Sequence, residues 1–545
     1  ARPIRALLLL MGLVSLVGMP YAVLMPIFAD RILHGGPKAL GLLMGAAGID
    51  YALLIVNRFR EELRSTFDTR KAAARTAETA GKAVAFSGLT VIVGLMALLV
   101  PPVAFIRSIG VGAMVVLCVS VLVAITAVPA TLALLGHRVN WLRVTKREPG
   151  LRSRAFWRAQ ATRIMRRPRF WFVTGVLVLV GLALPSLRMQ VADPGARGLT
   201  SSTDARRTLD ALEGLGLEGL LNPFDVVVDF GEEGFYRPAN VRKVSLLTQR
   251  ARELAHVAGV SSPMALESIP KLFLYQYYAT REVALASEIA PLARATVSRD
   301  GRYALIKLVP VGALTPAQGA EVHGALEVAL LELGLRGSIG GVYVQGTEWT
   351  RALYAYFPLA LALVAITTAL LLGMAFKSLL IPIKAVLLNA LTVCAAFGVM
   401  TLVHQDGIIH RLFGLGEVLG YIDTSAPLFI FAIVFGLSMD YEVFMVARIH
   451  EAHERGMTDH DAVATAISTT GGVITSAAAV MVTVFALLTF SHVELIRTLG
   501  LGLSVAVILD ATLVRLALVP SVMALAGGWN WWLPRFRARQ PDGRK

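Results

Sequence analysis

Two aspartates stand where an acid is costly, each followed by a tyrosine inside an otherwise apolar run: Asp50-Tyr51 and, 390 residues later, Asp440-Tyr441. An ionised carboxylate in low dielectric is heavily penalised, so an aspartate at that depth can take up and release a proton near neutral pH. Such an acid commonly marks a proton or ion pathway. Tyr51 and Tyr441 point about 100° round the helix from their own aspartates. Each hydroxyl can instead reach the aspartate of the other run if the two helices pack face to face. That crossed arrangement couples the two acids. The alternative is a polar staple between helices, satisfied and inert.

Further polar residues surround these pairs. Ser438 precedes Asp440 by two residues and either tunes it or bonds its own backbone. Glu442 has Ala52 as its counterpart, so it lies outside the repeated pair. It is either a third acid of the cluster or a contact to a neighbouring helix. Asp510 and Arg515 share the last apolar run, with Thr512 between them. An i, i+5 spacing suits neither on an α-helix, so each is expected to find a partner elsewhere, and a relay role stays open on the same intramembrane logic. Arg58 and Arg448 follow their aspartates by about 12 Å of helix and read as snorkelling anchors. Gly81, Gly471 and Gly472 are expected to open helices and allow close packing against the aspartate helices. No nucleophile–base set, phosphate loop or metal-ligand spacing occurs, so the reading is a non-enzyme with no cofactor or metal, driven by a proton gradient.

The elements that carry these residues form a repeat. At the 390-residue offset Glu61 pairs with Glu451, Ala72 with Ala462, Gly81 with Gly471, Ile106-Arg107 with Ile496-Arg497, and Gly110 and Gly112 with Gly500 and Gly502. A register kept that long is structural. The chain has 545 residues, is 56% hydrophobic and 16% charged, and has a mean hydropathy of +0.65, which fits a polytopic membrane protein. Apolar runs predict ten spans, at 5–29, 39–57, 83–100, 108–135, 171–187, 352–375, 380–403, 426–447, 472–491 and 497–527. Net charge is +15, which raises nucleic-acid binding, but the distribution opposes it. Eleven Lys/Arg and one acid fall between Arg138 and Arg169, five more basic residues between Arg535 and Lys545, whereas Arg188 to Glu348 holds 16 basic and 18 acidic residues. The positive-inside rule makes the basic segments and both termini cytoplasmic. The expected location is therefore the inner (cytoplasmic) membrane. Cys118 and Cys394 read as small core residues.

Residues 188–350 read as an extracytoplasmic α+β domain, ferredoxin-like. Its strands are Phe224 to Asp229 and Arg302 to Val309, its helices 239–257 and 316–333, and Gly341 to Gln345 closes the set. The remaining boundaries are 1–47, N-terminal helices of atypical origin; 48–135, first-repeat helices; 136–170, a basic cytoplasmic linker; 171–187, a membrane helix; 351–527, the second-repeat bundle; and 528–545, a basic tail.

From about residue 48 the chain resembles the MMPL (mycobacterial membrane protein large) branch of the RND (resistance–nodulation–division) transporter superfamily. The resemblance rests on Gly48-Ile49-Asp50-Tyr51, Asn57 to Glu62, Thr79 to Thr90, Phe435 to Glu442 and Leu509 to Arg515. It implies an RND-like parallel repeat and proton-driven export of lipids or other hydrophobic molecules. By the same resemblance Asp50, Tyr51, Asp440 and Tyr441 form the proton relay, and residues 188–350 form a porter domain. Implied partners are membrane lipids and a hydrophobic substrate, not nucleic acid, with a second copy or accessory envelope proteins left open. Residues 1–47, notably Gly18-Met19-Pro20-Tyr21, resemble instead a major facilitator exporter fragment. With no initial methionine and no signal-peptide pattern, the expectation is a chain incomplete at its N-terminus and missing a first porter domain. The rival readings are a lipid- or sterol-binding receptor-like protein, a facilitator-type carrier, and a hybrid or truncated product without transport.

Overall fold

The structure is a computed structural model that describes residues 51–52, 54–66, 68–140, 150–199, 201–266, 268–280, 286–408 and 418–532. The described chain forms two compact units, one drawn from residues up to Val191 and from Leu353 on, the other Ala192–Ala352. In the first unit, residues 51–52 and 54–66 are helical and lead to α1 (Thr69–Leu95), which starts where the Asp68 carboxylate accepts the N–H groups of Arg70 and Lys71 at 2.9 and 3.2 Å. Such a cap satisfies donors that the first turn leaves open. Next come α2 (Ala104–Leu135), the basic amphipathic α3 (Gly150–Arg166) and α4 (Pro168–Ala183), the last with proline in its first turn.

The second unit contains α5 (Asp204–Gly214), β1 (Phe224–Asp229), α6 (Pro238–Glu253), β2 (Val257–Ser261), α7 (Lys271–Thr280), α8 (Ala286–Thr296), β3 (Tyr303–Pro310), α9 (Pro316–Glu332), β4 (Arg336–Gly341) and the start of α10 (Val342–Tyr354). The strands form an antiparallel sheet in the order β2-β3-β1-β4, the split βαβ arrangement expected of a ferredoxin-like domain. Alternation places Phe224, Val226 and Val228 from β1, and Ala304, Ile306 and Leu308 from β3, in the core against Val244, Leu247 and Leu326. The closing strand lies earlier than expected, because the small residues Gly337, Gly340 and Gly341 pair with β1 and Val342 already begins α10. Gly341, at φ +113°, would carry a Cβ only 2.2 Å from the Pro223 carbonyl, so the chain turns there on a residue without one. The strand at Val257–Ser261 escaped the pattern because Ala258 and Gly259 interrupt its alternation.

The first unit resumes with α11 (Phe357–Phe376), α12 (Leu380–Met400), α13 (Ala426–Glu454), α14 (Asp459–Leu488), α15 (Glu494–Leu509), a π-helical segment (Asp510–Leu518) and α16 (Val519–Ala526). Among the described residues eight helical runs are long and apolar enough to cross a membrane. They correspond to the last eight of the ten expected spans; the first expected span, and the second up to residue 50, lie outside the described residues. α1 and α14 start well before expected positions 83 and 472, since each is prolonged by several more polar turns behind a side-chain cap, Asp68 in one and Thr458 in the other. Those caps, and the starts of α2 and α15, lie 390 residues apart. Gly110 packs on Leu98 and Gly500 on Leu488, the same contact in each copy. Cys118 and Cys394 are exposed on the outer surfaces of α2 and α12 rather than core residues; a single small apolar residue does not reveal which face it occupies.

Candidate proton-handling site

The site is built on α13, the most buried of the membrane-length helices. Ser438 and Glu442 lie one turn apart on one face, 3% and 4% exposed, beside the buried Tyr441. Facing them from α12 are Asn389 and Lys384, 1% and 5% exposed. The Ser438 Oγ lies 2.5 Å from Asn389 Oδ1 and 2.8 Å from Asp510 Oδ1. One hydroxyl hydrogen cannot serve both acceptors, and the Asn389 Nδ2 has no other partner. The consistent assignment turns the amide, so that Asn389 donates to Ser438 and Ser438 donates to Asp510.

Asp510 and Arg515 meet directly in a buried ion pair, which corrects the expectation that each finds a partner elsewhere. The cause is local winding. Asp510–Leu518 is π-helical, and i→i+5 bonding stacks residues five apart on one face, where an α-helix would splay them. Arg515 Nη2 also donates to the Ser438 carbonyl at 2.8 Å, and the guanidinium lies over the Tyr441 ring, 4.7 Å from its centroid. Ser438 therefore bridges to two other helical elements instead of bonding its own backbone. A cavity of about one water's size opens beside Ser438, Tyr441, Asp510 and Arg515, walled by Ile474 and Ala478.

Of the predicted relay, Tyr51 and Tyr441 are buried, 5% and 4% exposed. Asp50 lies outside the described residues, and the side chain of Asp440 is likewise outside the description, although its backbone sits in α13. Ser438, Tyr441, Glu442, Asp510 and Arg515 are brought together. Lys384 and Asn389 were missed, although a lone lysine and a lone asparagine in so apolar a helix were the available signal. A second buried group was also missed: His404 Nδ1 lies 3.3 Å from Glu494 Oε1, Thr498 Oγ1 donates to the same oxygen at 3.1 Å, and Arg497 pairs with Glu494. In the first repeat Ala104 replaces this acid, and Arg107 donates instead to the Leu99 and Pro101 carbonyls.

The glycine expectation is corrected. Gly81 and Gly471 lie within α1 and α14 rather than opening them, and a Cβ there would meet Ile125 of α2 and Trp157 of α3 respectively. Gly472 also lies inside α14 and is only partly buried. The close approach to the Asp440 helix belongs to Gly94, where a Cβ would lie 2.8 Å from the Ala432 carbonyl and 2.9 Å from the Gly436 nitrogen. Arg58 and Arg448 each pair with an acid one turn on, Glu61 at 3.4 Å and Glu451 at 3.2 Å, so the repeat preserves an ion pair as well as an anchor. Among the described residues no group of His, Cys, Asp or Glu side chains is arranged to hold a metal ion.

Helices of membrane length repeated at a fixed offset in the sequence, an α+β domain inserted between the copies along the chain and a charged cluster buried among the helices define a multi-pass membrane protein. The chain belongs to the MMPL family, whose model matches residues 6–171 and 219–543. That match takes in residues 6–47, which the sequence reading sets apart as facilitator-like; short apolar phrases do not discriminate one membrane helix from another. The chain is 29% identical to the trehalose monomycolate exporter MmpL3 of Mycobacterium tuberculosis, over 90% of this chain and 52% of that protein. It is 32% identical to the mycolic acid-containing lipids exporter MmpL11 of Mycolicibacterium smegmatis, over 90% of this chain and 49% of that one. It thus spans about half the length of these relatives. Its fold is similar to that of the hedgehog release protein Disp from the water bear Hypsibius dujardini, with a TM-score of 0.57 at 14% identity, over 90% of this chain and 64% of that one.

Proposed function

We propose that this chain serves proton-motive-force-driven export of lipids or other hydrophobic molecules across the cytoplasmic membrane. The observation that carries the reading is the buried Asn389–Ser438–Asp510–Arg515 network, which joins α12, α13 and the π segment. Charges at that depth are retained where a pathway uses them. Asp50, Tyr51, Asp440 and Tyr441 act as the proton relay, and the network sets a buried guanidinium over the ring of Tyr441. A proton arriving or leaving changes which hydrogen bonds and ion pairs hold the helices, and the packing shifts with it. The cargo is a lipid, in keeping with the exporters MmpL3 and MmpL11. Both termini lie in the cytoplasm and residues 192–352 outside it, the orientation that the basic segment between α2 and α4 favours. Asp440→Asn is expected to abolish proton-dependent export while leaving membrane insertion intact. Unchanged export by that variant sinks the reading.

A further inference from the structure

A strongly charged surface lies on α3 and the start of α4 and takes no part in the site above. No acid occurs between Glu148 and Asp193. Arg158, Arg163, Arg166, Arg167 and Arg169 are all exposed. Arg154 pairs with Glu61 at 3.5 Å, but no carboxylate lies within ion-pair distance of these five among the described residues. α3 is nevertheless held in place. Ala161, Ile164 and Met165 are buried, and Trp157 lies against Gly471 of α14. Its guanidiniums are therefore presented from a fixed helix rather than from a solvated loop.

The neighbours of these arginines mark a membrane surface rather than open water. Phe156 and Phe170 bracket them, both exposed. From Phe170 an apolar stripe runs on through Val173, Leu177 and Leu184, each more than half exposed and at spacings that share one helical face. Charge at one end and bare hydrocarbon along the rest match a phospholipid from headgroup to acyl chain. Aromatic side chains concentrate at that boundary in membrane proteins, and guanidinium forks take phosphate oxygens in pairs. With no acid in reach, a headgroup of net negative charge is favoured over a zwitterionic one.

We infer that the arginine face of α3 and the first turn of α4 bind anionic phospholipid headgroups, in the inner leaflet given the orientation proposed above. The occupant is a lipid and not free phosphate, because the apolar stripe accommodates acyl chains. The binding involves no proton movement, so it stands or falls apart from the relay. The test reconstitutes the full chain in phosphatidylcholine vesicles that carry a small fraction of phosphatidylglycerol with a photoreactive acyl chain, and measures labelling of α4 by peptide mass spectrometry. Replacing Arg158, Arg163 and Arg166 together by Gln is expected to lower that labelling at least tenfold, at about 1 kcal/mol per basic residue near such a surface. Labelling of α4 by photoreactive phosphatidylcholine is expected to stay unchanged in the same variant, which shows that the helix is still in place. A control that removes equal charge from exposed positions of the second unit, Arg242→Gln with Lys271→Gln and Arg299→Gln, is expected to label as the unaltered chain does. Inorganic phosphate at matched ionic strength is expected not to compete. Unchanged phosphatidylglycerol labelling in the α3 variant, equal labelling of the unaltered chain by both lipids, an equal loss in the control, or competition by phosphate overturns the inference.

Discussion

Arg515 is the residue on which the site's charge balance turns, because its guanidinium reaches Asp510, the Ser438 carbonyl and the Tyr441 ring together. Replacing it with Met leaves the Asp510 carboxylate buried without its cation, a change that costs about 3–5 kcal/mol in a protein interior. Thermal melting of the purified protein is expected to show that loss. Asp510→Leu in the Arg515→Met background is expected to recover most of the stability, with export still absent. Equal melting of Arg515→Met and the unaltered protein removes the pair from the account. A different pair governs pH in the second unit. The Arg302 guanidinium, bonded to the Asp229 carboxylate at 3.0 Å, and then the Gly231 N–H hold that carboxyl below its ordinary value. A lowered carboxyl stabilises the fold above its unfolded value, about 3.9, and the contribution disappears as pH falls through the lower folded value. The small difference in melting between Asp229→Asn and the unaltered unit is therefore expected at pH 6 and is expected to shrink away in acid below the unfolded value of about 3.9. A difference that persists there contradicts the assignment. Ser438, Asp510 and Arg515 were legible as suspects from their types alone, but their partners were not, since pairing across helices depends on which faces meet.

Element scale shows where the repeat constrains packing. α1 approaches α13 so closely at Gly94 that an added methyl meets backbone atoms of Ala432 and Gly436, which cannot move aside as a side chain can. Gly94→Ala is expected to destabilise the protein by about 1–3 kcal/mol, the usual range for overpacking. Gly81→Ala meets Ile125 at 4.0 Å, ordinary contact, and is expected to be tolerated. Melting of the two variants side by side decides the point, and equal behaviour contradicts the close approach. The π segment is the other decisive element. Its counterpart in the first repeat lies within the regular α-helix α2, with Ser120 and Ile125 in place of Asp510 and Arg515. Hydropathy sees both stretches as apolar spans, so the change of winding was invisible to it, and with it the i, i+5 pair.

At the scale of the whole molecule the chain is two units with separate cores. Residues 192–352 bury Phe224, Val226, Leu247, Ile306 and Leu308 completely within their own sheet and helices. Expressed by itself, this segment is expected to fold and to melt in one cooperative transition. A featureless melt with the near-ultraviolet signal of an unfolded chain contradicts that expectation.

Local composition determined much of this protein. Hydrophobic runs of about 20 residues dictate membrane helices because unsatisfied backbone is intolerable in lipid. Alternating residues dictate β1 and β3, and a phrase returning after 390 residues dictates the repeat. Which polar side chains meet was decided only by tertiary structure. Lys384, Asn389 and Glu442 are far apart in sequence from Asp510, and nothing short of the packed helices reports that they share one dry interior. Electrostatics there acts over a few ångströms, so contact geometry, not residue type, sets the chemistry.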